Sequence, residues 1–143
     1  MKSVLYALVC CAVAAGGARA SDQDTVQGTW KLVAGIRDGK PMTGADVDRK
    51  LTIQGNHYTL TAPAQPTPID AGTFQLNESV SPKQVDLSVE EGPNKGQTML
   101  GIYEIRAGNR HRVCLAPPGA ARPTKFESTA GSGLIFEEWL RSK

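Results

Sequence analysis

Few residues in this chain combine types and spacings that chemistry can use. His57, His111 and Cys114 are the soft metal ligands beyond residue 20, and three such groups can hold zinc with a position left open. His111 and Cys114 stand three positions apart on one apparent strand, so their side chains face opposite ways. No metal site and no cofactor is expected. Arg110 and Arg112 are neighbours of the kind that lower a thiol pKa, yet the sequence places no base beside Cys114, which reads as a buried inert thiol. The pairs Glu90-Glu91 and Glu137-Glu138 split across two strand faces, so neither is an acid–base dyad; both read as solvated strand ends. Gly131-Ser132-Gly133 lacks the frame of a nucleophile elbow. Gly92-Pro93-Asn94-Lys95-Gly96 lacks the spacing of a phosphate loop and precedes a strand, not a helix. Asn77-Glu78-Ser79 is a glycosylation sequon with meaning only in a eukaryotic secretory route. No catalytic residue is assigned.

The elements that must position these residues follow a period of two almost throughout. The first strand covers Thr29–Arg37, with Trp30, Leu32, Ala34 and Ile36 on one face, and Asp38-Gly39 turns it. Residues 42–48 form a polar connection with one helical turn. Leu51 and Ile53 mark a second strand, Tyr58 and Leu60 a third, Phe74 and Leu76 a fourth. Gln84–Glu90 sets Val85, Leu87 and Val89 against Asp86, Ser88 and Glu90. Thr98–Arg106 is apolar on both faces, as a covered wall or a dimer surface would be. Arg110–Ala116 and Leu134–Arg141 complete eight strands, and two Pro-rich loops, 62–68 and 117–123, interrupt the pattern. Eight strands joined in sequential hairpins favour an up-and-down antiparallel barrel that just holds its own side chains or one small ligand; an open sandwich is the competing architecture. Gly28-Thr29-Trp30 supplies a plug for one end, the glycine permitting close approach and the indole pointing inward.

The N-terminus carries an address. Met1-Lys2, an apolar run from Val4 to Ala15 and Ala18-Arg19-Ala20 have the pattern of a cleaved signal peptide, residues 1–20, with Ser21 as the new first residue. The run is short for a membrane span, and the residues before Cys10-Cys11 lack the small side chain that lipidation sites prefer. The expected mature domain, 21–143, is exported, periplasmic or secreted. Of 16 Lys and Arg, Lys2 and Arg19 leave with the signal, so 14 basic residues face 14 acidic ones. Such a balance offers no field for nucleic acid or an anionic membrane. Cys114 remains as a lone cysteine, so no internal disulfide forms and the fold rests on its core.

Gly28-Thr29-Trp30 at the start of the first strand resembles the signature of lipocalins and the wider calycin group. More specifically, the chain resembles a small lipocalin-like domain abundant in planctomycete bacteria. The matching segments run in order: Gln27–Lys31, Asp38–Pro41, Gly72–Phe74, Val85–Leu87, Glu91–Pro93, Gly101–Tyr103 and Ala116–Gly119, followed by Arg122-Pro123. The resemblance implies the barrel and no particular activity. The likeness to lipocalins and calycins implies in addition that an Arg near the end of the last strand packs across the Trp, a place that Arg141 matches. The chain lacks the long C-terminal helix and the disulfide of a typical lipocalin, which argues against a roomy cup.

The expected function is a secreted, non-enzymatic lipocalin-like domain that binds a small apolar or amphipathic molecule. The inward residues that would line its pocket are Leu32, Tyr58, Leu60, Phe74, Leu87, Tyr103, Val113 and Phe136; the alternative is that they simply fill the barrel. Arg122 can present its planar fork to an anionic head group at the rim, or serve as a salt-bridging loop anchor. With a filled interior, the chain would instead be an envelope module that binds or inhibits a protein partner through its rim loops.

Overall fold

The structure, a computed structural model, describes residues 19–143. The expected signal segment therefore lies almost wholly outside the described residues, as do Cys10 and Cys11. A short helix, α1 (Asp22–Thr25), is followed by nine strands: β1 (Gly28–Arg37), β2 (Lys40–Pro41), β3 (Lys50–Gln54), β4 (His57–Thr61), β5 (Asp70–Asn77), β6 (Gln84–Glu91), β7 (Thr98–Arg106), β8 (Arg110–Leu115) and β9 (Ile135–Arg141). A 3-10 turn, Gly44–Asp46, occupies the polar connection. No helix among the described residues is long and apolar enough to cross a membrane.

Every neighbouring pair is antiparallel, and β1 pairs with β9 as well as with β3. That last pairing closes eight strands into a barrel and excludes the open sandwich. The eight expected strands are all present, with ends shifted by a few residues. The ninth, β2, is the return arm of a two-residue hairpin: Arg37 pairs with Lys40 across Asp38 and Gly39, which adopt φ of 49° and 76°. These positive values are what a type I′ turn demands.

One expected face is corrected. A bulge between Leu32 and Ala34 puts an extra residue, Val33, into β1, and a one-residue slip moves everything beyond it to the other face. Trp30 and Leu32 point inward as expected. Beyond the bulge Gly35, opposite Glu137, takes the inward place, while Ala34 and Ile36 lie opposite Glu138 and Phe136 on the outer face.

The floor of the barrel is built from the Gly-X-Trp segment. Trp30 is 1 % exposed, and its Nε1 donates to the carbonyl of Val26 at 2.8 Å. The Arg141 guanidinium lies over the indole, 4.2 Å from the ring centroid, and donates to the carbonyls of Thr25 and Gln27. Gly28 adopts φ 110°, and a Cβ there would stand 3.1 Å from the Arg141 guanidinium. The backbone angle thus requires glycine, and a side chain there would also crowd the guanidinium. Gln27 clamps the β3–β4 turn by exchanging two hydrogen bonds with the backbone of Gly55. Tyr103 and Lys83 both donate to Asp22, at 2.7 and 2.6 Å, tying α1 to the far wall.

The wall apolar on both faces is a covered wall. The segment from 116 to 134 folds back over the outside of β6–β9. Arg122 donates to the carbonyls of Val85 and Gly101 and pairs with Asp86 at 2.6 Å. The Arg112 guanidinium stacks on Phe126 at 4.1 Å. Ile102 and Cys114 are sealed beneath this strap at 1 % and 0 % exposure, the Cys114 thiol donating to the Glu127 carbonyl. Burial raises that thiol's pKa, in keeping with an inert cysteine.

Removing the plug should unfold the domain early. Trp30→Ala deletes a buried indole, a loss of about 3–5 kcal/mol, and should lower the melting temperature by roughly 10 °C or more, with Arg141→Met giving a smaller drop. An unchanged melting curve for Trp30→Ala would refute the plug.

Candidate functional site

The interior is hollow. A cavity of about 560 Å³ runs from the floor to the end formed by the loops after β1, β4, β6 and β8, within the range of roughly 300–1,000 Å³ usual for small-molecule pockets. The expectation that no roomy cup exists without the long helix and disulfide is corrected: the barrel keeps one, because most inward positions are filled by aliphatic side chains and few by rings.

Six of the expected lining residues meet there: Tyr58, Leu60, Phe74, Leu87, Tyr103 and Val113. Three do not. Leu32 is buried at 2 % exposure in the core beneath the cavity, and Trp139, its partner across the β1–β9 seam, lines the wall instead. Phe136 points outward between Cys114 and Ile36, because the inward positions of β9 are Ile135, Glu137 and Trp139. Arg122 is spent on Asp86 and two carbonyls on the outer wall, so it is the loop anchor and presents no fork at the rim.

Charged and polar groups also face the cavity: Arg37, Asp38 and Asn94 toward the mouth, and Glu137, Arg49, Asp70 and His111 further in. Glu137 is 8 % exposed and accepts one hydrogen bond, from Trp139 Nε1 at 3.2 Å. Burial raises its pKa, partly offset by the charges of Arg49 and Arg37. The expected reading of Glu137-Glu138 as a solvated strand end is therefore half corrected. The two residues do face opposite ways, but only Glu138 is outside, 3.6 Å from Arg106. The Arg49 side chain is 10 % exposed; one terminal nitrogen reaches Asp46 at 3.2 Å, while its buried Nε has no partner. Asp70 accepts from the Tyr58 hydroxyl at 2.9 Å, and burial raises its pKa despite that bond. Deeper down, His111 sits edge-on to Trp30 with centroids 4.3 Å apart, its Nδ1 unpartnered. Burial, helped by the nearby Arg141 charge, lowers its pKa to about 3, so the imidazole is neutral.

The soft ligands stay apart: His57 is exposed on β4, His111 faces the cavity and Cys114 lies under the outer strap. The apolar pattern alone does not disclose this polar lining. The signal was available in strand parity. Arg141 over Trp30 puts 139 and 137 on the same face, Val113 puts 111 there, Phe74 puts 70, and Leu51 puts 49.

Two opposite pH effects follow. Between the ordinary glutamate value of 4.5 and its raised folded value, Glu137 holds a proton in the native state that the unfolded chain releases, so stability falls as pH rises through that window. Between 6.5 and about 3, unfolded His111 takes up a proton that native His111 refuses, so stability falls as pH drops. Glu137→Gln should make the protein more stable at neutral pH, and His111→Gln should flatten the acid limb, in thermal melts from about pH 3 to pH 8. A Glu137→Gln protein that melts below the parent at neutral pH would sink the unpaired-carboxylate account. A scan of the sequence against protein-family models gave no match, and a search of curated proteins gave none.

Proposed function

We propose that this chain is an exported, non-enzymatic lipocalin-like carrier that holds one small, largely apolar molecule inside its barrel. The single observation that carries the reading is the cavity of about 560 Å³, walled mainly by Leu, Ile, Val and aromatic side chains and open at one end. The competing reading, a protein-binding module working through rim loops, was framed on a filled interior, and the interior is not filled. The Gly28, Trp30 and Arg141 arrangement at the floor supports the likeness to lipocalins and the wider calycin group. Export rests on the N-terminal pattern. Ser21, the expected first residue, serves as the N-cap of α1, its hydroxyl accepting from the Asp24 amide at 3.1 Å, so cleavage there leaves the plug intact.

The purified protein should bind the neutral fluorophore N-phenyl-1-naphthylamine with one-to-one stoichiometry. Leu87→Trp, which fills the cavity from β6, should weaken that binding at least about tenfold. No binding, or equal binding by the filled variant, would overturn the carrier reading. Intact mass spectrometry of the protein from its cell envelope should give a chain beginning at Ser21; a mass that retains residues 1–20 would overturn processing.

A further inference from the structure

We propose that the molecule held in the cavity carries a neutral head group with a hydrogen-bond donor beside an acceptor, an amide being the simplest, seated between Glu137 and Arg49. This rests on the carrier reading above and narrows it to a ligand class. Two buried groups on the cavity wall have unused hydrogen-bonding capacity of opposite kinds. Glu137 takes a single hydrogen bond, from Trp139. A carboxylate has about four acceptor sites, and among the described residues no Lys or Arg nitrogen lies within 4.0 Å of it. Arg49 gives one terminal nitrogen to Asp46 and leaves the other without a hydrogen-bond partner among the described residues, while its covered Nε also has no acceptor. Buried polar atoms of this kind are costly when unpaired. A head group that donates to the first and accepts from the second satisfies both.

The charges of the lining argue for neutrality. Arg37 and Arg49 are set against Asp38, Asp70 and Glu137, so both signs line the cavity; Asp38 lies at the rim, where its carboxylate accepts from the Gly133 amide. An anionic head would be drawn to Arg49 and repelled by the carboxylates. A cationic head would meet the reverse. A neutral dipole with both functions gains from each side and is repelled by neither. Asp70 accepts from the Tyr58 hydroxyl and from the Ala71 backbone amide, one donor more than Glu137 has, which leaves Glu137 as the more open acceptor. Leu60, Phe74, Leu87 and Val113 provide the apolar wall for the rest of the molecule.

The test is displacement of N-phenyl-1-naphthylamine from the purified protein at neutral pH by decanamide, decanoic acid and decylamine, which share one tail and differ in head. Decanamide should displace the fluorophore at a concentration at least about tenfold below either charged analogue. Arg49→Met and Glu137→Met should each shrink that advantage to within about threefold. A charged analogue binding best, or all three falling within about threefold of one another in the parent protein, overturns the head-group assignment. Binding of the fluorophore with no displacement by any of the three overturns it too, while leaving the carrier reading standing. Failure of the fluorophore itself to bind removes both.

Discussion

Closure between β1 and β9 is the constraint on which the interior depends. A sheet of this twist either leaves two sticky edges or pairs its first strand with its last, and here the seam runs from Trp30–Arg141 at the floor to Arg37–Ile135 at the mouth. The Trp30 indole and the Arg141 guanidinium stack at its lower end, adding about 0.5–2 kcal/mol to the packing. The same guanidinium draws in the carbonyls of Thr25 and Gln27. One pair of side chains therefore seals the barrel's edge and its base together, and α1 is held there by the links to Tyr103 and Lys83 on other walls.

The bulge in the same seam decides what the mouth presents. Without it, Ala34 and Ile36 would continue the apolar interior upward from Leu32. With it, Gly35 faces Glu137, Arg37 comes to the rim of the cavity, and Ile36 joins Phe136 on the outside. Met42 lies over Gly35, its sulfur 2.5 Å from where a Cβ would stand, so a larger residue there would have to displace the Met42 side chain. On β1 the inserted residue thus ends the apolar interior above Leu32 and brings a charge, Arg37, to the opening.

Much of this was legible in the sequence. Period-two alternation located all eight barrel strands, since each has one face against the interior and one against solvent, and Asp38-Gly39 announced its hairpin through the positive φ both residues adopt. The bulge was not legible, because Val33 is as good a strand residue as its neighbours and nothing local marks it as extra. Phe136 was assigned inward for being aromatic, when a strap of loop from 116 to 134 supplies a second apolar environment on the outer wall. Arg122 read equally well as rim or anchor, and tertiary context alone chose. Glu137 and Arg49 were lost to the rule that charges face water, a rule that fails where a barrel keeps space inside.

That failure is the informative part. Local preference, hydrophobic pattern and turn chemistry agree along nearly the whole chain, as they do in sequences that specify one fold. They disagree at a few inward positions on β9, β8, β5 and before β3. There a glutamate is buried with its pKa raised, a histidine is held neutral, an aspartate is half-buried, and an arginine has an unpartnered nitrogen. Apolar residues of similar volume would make a more stable barrel at each of these places. A fold that departs from its own pattern only where side chains face one cavity is less stable empty than it needs to be. A molecule that binds the folded state and meets those groups restores the difference, stabilising it by RT ln(1 + [L]/Kd). Stability and occupancy are therefore linked through the same few side chains, and the apolar wall supplies affinity while the buried polar atoms supply selection.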